Sequence, residues 1–343
     1  MLSIVAENEL AFRDSLIMSC ISKKATKIIL GEGVNVNICK SLVECIIRIV
    51  NGSDALIDPS CEYVSFKPGV IIGGTYDFFC PSNICVSYFV ESVMILCLYS
   101  KKPISAIFHG PTTLNGSSII TTIRVALPLL VKIAKADMKI NVDKHSLGHD
   151  GVVSIAYSSS ELCSFSLNFS PLLCTSVKAL CVNYGLSSQN SSRFIQKFRG
   201  LLEKLTSDIY VSQESQNEVE MKGFSVSIYC YSSEKIPILS HSSEIPQLTP
   251  IEEFAENNAK AIATKILKMR SLYSDEYLWM LLVLMSFNRD AISQVKLPVA
   301  AIKASLSAYE EYSGQLFNLK RDQDATIISC IGNGLKNINK GIN

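Results

Sequence analysis

The chain has 343 residues, more than one compact core of ordinary size organises, so two domains or one large domain with an insertion are expected. Its 48% hydrophobic content implies a sizeable core, and a formal net charge of +1 excludes a globally basic nucleic-acid binder while permitting one local basic face. The longest apolar run, Cys85–Tyr99, is broken by Glu91 and falls short of the roughly 20 residues a bilayer span needs, so it is expected to be a buried helix, with no membrane role. The N-terminus meets Glu7 and Glu9 early and has no basic region ahead of an apolar one, which argues against a signal peptide. The twelve cysteines sit inside apolar runs without a CxxC pair, so reduced, structural thiols are expected rather than a zinc ribbon or a disulfide framework.

The elements follow from hydrophobic periodicity. Lys27–Leu30 reads as a strand, and Val36–Val50 as a helix with Ile38, Leu42, Cys45, Ile46 and Ile49 on one face. Asn51-Gly52-Ser53 stops it, and strands Glu62–Phe66 and Val70–Ile72 flank a turn at Pro68-Gly69. A helix at Ile84–Tyr99, a strand at Ile104–Phe108 and a helix at Ser117–Ala134 follow, then strands at Lys139–Val142, Val152–Tyr157 and Cys163–Asn168. The stretch 187–248 looks separate. It holds a helix at Gln189–Thr206, strands at Asp208–Ser212 and Phe224–Tyr231, and a Ser- and Pro-rich segment, 232–250, read as a connection. Thr249 and Pro250 then suit the N-cap and first position of a helix reaching Arg270. Helices near Asp275–Phe287 and Pro298–Tyr312 and strands at Leu316–Lys320 and Thr326–Ile331 close the pattern. Strands that keep returning after helices argue for sheets covered on one side by helices. The expected organisation is a main body in two parts, 1–186 and 249–343, interrupted by a small α/β domain at 187–248. No fixed-period repeat is visible, which argues against a solenoid.

Few constellations carry chemistry. His145 and His149 have a metal-ligand spacing, but they flank a turn and no third ligand is near, so no metal site is expected. Gly73-Gly74 after an apolar run suits either a phosphate-cradling turn or the tight packing of a strand exit. His109–Gly116 has turn composition ahead of a helix that Ser117 would cap. No GxSxG, Walker-type loop or HExxH occurs. Lys320-Arg321-Asp322 suits either a charged turn or a phosphate contact.

Taken in order, Asn51-Gly52-Ser53, Pro68-Gly69, Gly73-Gly74, Glu91-Ser92, Lys102-Pro103, Val125–Leu130, Asp208-Ile209-Tyr210 and Ile328–Gly334 resemble the RNA 3′-terminal phosphate cyclase superfamily across nearly the whole chain. Within it, the cyclase-like branch is more similar, through Glu7, Phe12-Arg13 and Leu16 near the start and Cys330–Gly334, Asn337 and Lys340 near the end. The resemblance implies an α+β fold of repeated two-layer units, each of two helices on a four-stranded sheet, with a small inserted α/β domain. The cyclases use a histidine on the helix before the two closing strands, whose imidazole nitrogen attacks the α-phosphorus of a nucleotide. Here that stretch is Leu297–Lys303, Ile302 or its neighbour stands in the histidine's place, and no histidine follows His241.

What the resemblance then implies is a non-catalytic factor in small-subunit (18S) pre-rRNA processing, in the processome of the nucleolus and nucleus. Its partners would be a ribosome-assembly GTPase, pre-rRNA and processome components. It would use no cofactor and be a monomer outside its complex. Candidate RNA or anion contacts are Arg13, Gly73, Gly74, Lys144 and Arg321. The alternatives are a pre-rRNA endoribonuclease, whose cluster would be Arg321, Asp322 and Asp324, and an active RNA 3′-phosphate cyclase. Departures bear on the first alternative. The basic pair and glycine run usual in the branch are replaced by Asp143–Gly151, and a His-Asp-Cys run after the double glycine by Phe78-Phe79-Cys80.

Overall fold

The computed structural model describes residues 1–168, 174–232, 235, 237–246, 250–268, 277–288, 291–298, 306–322 and 325–335. Within them one supersecondary pattern, strand–helix–strand–helix–strand–strand, occurs three times. The first copy runs through strand Leu2–Ala6, helix Glu9–Ser22, strand Thr26–Leu30, helix Val36–Ile49 and strands Asp54–Ile57 and Tyr63–Lys67. The second runs through Gly74–Phe79, helix Ser87–Cys97, Ile104–His109, an interrupted helix from Ile119 to Ala134, and strands Asp137–Lys144 and Val152–Ser159. The third comprises Ser166–Asn168, helix Leu278–Phe287, Ile292–Pro298, helix Leu306–Ser313, Phe317–Asp322 and Ala325–Ile331. In each sheet the first two strands are parallel, and the fourth returns antiparallel between the second and third. A parallel first pair needs a crossover, and a helix supplies it every time. The family's expected architecture, two helices on a four-stranded sheet, is what the chain adopts.

The third copy is split. Between its first strand and first helix lies a separate sheet, with Ser176–Tyr184 next to Asp208–Gln216 on one side and Gly223–Tyr231 on the other, and Pro237–Pro246 at the edge. Helices Gln189–Leu202 and Ile251–Lys268 cover it, and Phe194, Phe198, Phe224 and Phe254 form a core of its own. This sheet takes in Ser176–Tyr184, ahead of 187, and its helical cover runs on to Lys268.

Helix Glu9–Ser22 is the hub, touching Val36–Ile49, Ser87–Cys97, Leu278–Phe287 and Leu306–Ser313. The Asn8 side chain accepts a hydrogen bond from the Ala11 amide (2.9 Å), and Lys23 closes the helix in the left-handed region. Helix Leu278–Phe287 is buried on every side, which explains its unbroken apolar sequence. The sheets turn their other faces outward, as the alternating burial of Ile104–His109 illustrates.

The helix from Ile119 is broken by a π-helical turn at Thr122–Ala126. Pro128 is the cause: it has no amide to donate to the Arg124 carbonyl one turn back, and the Tyr231 hydroxyl donates to that carbonyl instead (3.2 Å).

Several expectations need correction. The Ser- and Pro-rich connection holds a ten-residue strand, Pro237–Pro246, whose prolines stand at its ends on a sheet edge, where a missing amide costs little. Strands Leu2–Ala6, Asp54–Ile57, Gly74–Phe79, Ser176–Tyr184 and Ile292–Pro298 are additional to those read from periodicity. Of the helix expected at Pro298–Tyr312, Leu306–Ser313 is helical and Pro298 ends a strand. Thr249, Ile302, Lys303 and Asp324 lie outside the described residues.

Candidate functional site

A cavity of about 940 Å³ lies between the three repeated units and the inserted one. Arg13, from the hub helix, forms its floor and is only 2% exposed. Its Nη1 donates to Glu91 Oε2 at 2.8 Å, and its Nε donates to Asp14 Oδ1 at 3.1 Å. The guanidinium carbon lies 3.9 Å from the centre of the Trp279 ring and 5.7 Å from that of Tyr88. The outer oxygens of the carboxylates are held as well: Thr122 Oγ1 donates to Glu91 Oε1 (2.8 Å), and the Tyr309 hydroxyl donates to Asp14 Oδ2 (3.4 Å). Thr122 begins the π-helical turn, so Pro128 bears indirectly on the position of this oxygen's partner.

Burial pushes the Asp14 and Glu91 carboxyls above their ordinary range, and the attraction of Arg13 only partly offsets it. Burial also opposes the charge on Arg13, yet the two carboxylates hold its pKa above the ordinary value. One cation between two carboxylates leaves no positive excess. Glu7, Glu311 and Lys265 also line the cavity, the Lys265 Nζ donating to the Ser240 carbonyl (2.7 Å). A pocket so lined has a weak claim on a phosphate chain.

Of the residues expected to contact RNA or an anion, Arg13 alone lines this cavity. Gly73 has φ +96°, and a Cβ there would stand 2.3 Å from the Lys102 carbonyl oxygen. The Gly74 amide donates to the Pro103 carbonyl (3.0 Å). The double glycine therefore lets two backbone segments pass closely, and the Gly74 amide already has its acceptor. Lys144 pairs with Asp150 at 2.7 Å. Its loop docks on the inserted sheet, through buried His145 against Glu214 (3.2 Å) and the His149 amide donating to Glu220 (2.9 Å). Desolvation keeps the His145 pKa below the ordinary value. The turn at Asn115-Gly116 docks likewise, the Asn115 amide donating to Glu244 Oε1 at 2.6 Å.

Arg321 and Asp322 are successive residues of one strand and so project to opposite faces. Asp322 pairs with Lys296 at 2.6 Å, a contact that holds its carboxyl below the usual range. The geometry does not bring this pair together as an acid–base couple. Among the described residues, no group of three His, Cys, Asp or Glu side chains could hold a metal ion.

The model of the RNA 3′-terminal phosphate cyclase family matches residues 9–296. The chain belongs to that family. Among its relatives, a probable RNA 3′-terminal phosphate cyclase-like protein of Dictyostelium discoideum is 24% identical, with 95% of this chain and 96% of the relative covered. An RNA 3′-terminal phosphate cyclase-like protein of Homo sapiens is 21% identical over 88% of this chain and 86% of its own length. The rRNA processing protein RCL1 of Saccharomyces cerevisiae is 23% identical over 65% and 64%. These relatives carry cyclase-like and processing names, in keeping with the cyclase-like branch.

Asp14, Trp279, Tyr309 and Lys265 complete the cavity of this family member and were not singled out from the sequence. Glu91 stood out locally as a lone acid in an apolar run, and a buried acid in such a run signals a distant cation. Trp279 carries no comparable signal, because an aromatic in an apolar helix reads as core.

Proposed function

We propose that this chain is a non-catalytic factor in ribosomal RNA processing, acting on the small-subunit (18S) precursor within the nucleolar processome and binding a ribosome-assembly GTPase. The observation that carries this reading is the neutralised cavity between the repeated units. Its buried arginine is occupied by Asp14 and Glu91 and stacked on Trp279. The sequence adds that no histidine follows His241, so the family's nucleophile has no counterpart near the closing strands. The processing names of the fungal relatives support the biological setting. In this reading the helical centre is a rigid hub, and the outward sheet faces are the working surfaces.

Two experiments test it. Affinity capture of the tagged chain from cell extract is expected to recover a large GTPase and pre-rRNA, and recovery of neither overturns the reading. Incubation with radiolabelled ATP and magnesium is expected to leave the chain unlabelled. A labelled covalent adduct would establish nucleotidyl transfer and remove the word non-catalytic.

A further inference from the structure

The second repeated unit exposes an aromatic pair on its open sheet face. Phe79 and His109 are register partners on the parallel strands Gly74–Phe79 and Ile104–His109. Their rings stack at 4.6 Å between centroids with 12° between planes. Gly74–Phe79 is the edge strand of its sheet, so one face of the Phe79 ring meets His109 while the residue remains 80% exposed. An edge phenylalanine so exposed forfeits the burial that normally places this residue type in a core. Asp77 orients the histidine, its Oδ1 lying 2.8 Å from His109 Nε2. Ile107, 40% exposed, extends the apolar surface along the second strand.

A cation stands at the same strand edge, on the helix-covered side of the sheet. Arg48, exposed on helix Val36–Ile49, donates from Nη1 to the Asp77 carbonyl (2.7 Å) and lies 4.7 Å from the centre of the Phe78 ring. One donor is engaged there, and a guanidinium has five. Among the described residues no carboxylate lies within ion-pair distance of Arg48.

We propose that Phe79 and His109 form a stacking platform for an unpaired base of single-stranded RNA, with Arg48 drawing the phosphate backbone along the strand edge. A third ring continues an existing two-ring stack at the cost of little ordering, because Asp77 has already fixed the imidazole. Aromatic stacking is tolerant of base identity, while a guanidinium at the strand edge supplies attraction to the backbone. A duplex cannot use such a platform, since its bases are stacked on one another. The ligand class rests on the rRNA-processing reading; the platform itself rests on the ring geometry.

The test uses the purified full-length chain and a short, unstructured, fluorescently labelled oligoribonucleotide, titrated by anisotropy. Phe79→Ala is expected to weaken binding by about tenfold, Phe79→Trp to retain it, and the matching RNA duplex to compete poorly. Arg48→Ala is expected to weaken binding and to flatten its salt dependence. Because Phe79 is exposed, its substitution leaves the core intact, which an unchanged melting temperature checks. Equal affinities of the Ala, Trp and unaltered chains overturn the platform, as does failure of the unaltered chain to bind the oligonucleotide. Loss of a captured protein from Phe79→Ala with RNA binding unchanged also overturns it, and assigns the face to a protein partner. Capture of pre-rRNA from extract by a chain that ignores the oligonucleotide would sink the platform and spare the processing reading; the reverse pattern would do the opposite.

Discussion

Arg13 and Trp279 lie 266 positions apart in the sequence, yet the guanidinium carbon lies 3.9 Å from the centre of the indole ring. That contact ties the first repeated unit to the third, while Glu91 ties the same arginine to the second. Arg13 is thus a junction of all three units as much as a member of a site. Removing it strands two buried carboxylates, a situation that typically costs about 3–5 kcal/mol. Arg13→Met is expected to lower the urea midpoint accordingly, and adding Asp14→Asn and Glu91→Gln to recover much of the loss. Arg13→Lys should fall between, because a lysine keeps the charge but neither the fork nor the flat stacking surface. A stable Arg13→Met single variant would show the junction to be dispensable.

The pH dependence of stability should bear two opposite limbs. Asp14 and Glu91 have folded pKa values above their ordinary 3.8 and 4.5, so between those values and the raised ones the folded chain binds more protons than the unfolded chain. Their contribution is present at acid pH and lost as pH rises through the folded values. His145 behaves oppositely. Its pKa lies below 6.5, so what it contributes is present above that value and lost as pH falls through the folded value. The Nδ1 of His145 is buried without a hydrogen-bond partner, and protonation would leave a donor there with nothing to receive it. Melting temperatures recorded across this range should flatten on the His limb in His145→Gln and on the carboxylate limb in Glu91→Gln. Unchanged profiles in both variants would show that these groups do not set the pH response.

How much of this was readable beforehand depends on whether the determining partner is near in sequence. Helix Ser87–Cys97 was legible because its residues are apolar apart from Ser87, Glu91 and Ser92, and Val36–Ile49 because its apolar stripe repeats at helical spacing. Arg13 was reachable through a family pattern, but its neutralisation by Glu91 and its stacking on Trp279 are long-range pairings. Strand Pro237–Pro246 was hidden by composition: serines and prolines mimic a linker, and only the partner strand Gly223–Tyr231 makes it a strand. The repetition of units came from the family resemblance and not from periodicity, because the copies share topology without a sequence period, and the inserted sheet splits the third. Lys144 looked like a free cation because Asp150, its partner, lies across a turn that composition does not close.

The double glycine offers a discriminating mutation. At Gly73 an added methyl meets both a positive φ of +96° and the Lys102 carbonyl at 2.3 Å, whereas at Gly33 it meets the positive φ of +89° alone, with nothing within 4 Å. Gly33→Ala should therefore cost about 1 kcal/mol of backbone strain, and Gly73→Ala clearly more, about 2–3 kcal/mol. Denaturant midpoints measure the difference. If Gly73→Ala instead keeps its stability and loses affinity for inorganic phosphate, the turn is an anion cradle and its close packing is incidental.

Strand alternation makes the last prediction. Arg321 and Asp322 face opposite sides of strand Phe317–Asp322, and Asp322 already holds Lys296 at 2.6 Å on the surface. An acid–base couple needs both groups within hydrogen-bond reach of one substrate atom, and successive strand residues cannot provide that. Asp322→Ala should leave the melting temperature almost unchanged, as the loss of an exposed ion pair does. Neither Asp322→Ala nor Arg321→Ala is expected to change the rate at which a purified preparation cleaves a pre-rRNA fragment. A drop of tenfold or more in both variants, with melting temperatures unchanged, would mean that RNA binding draws the two side chains to one face and would restore the endonuclease reading.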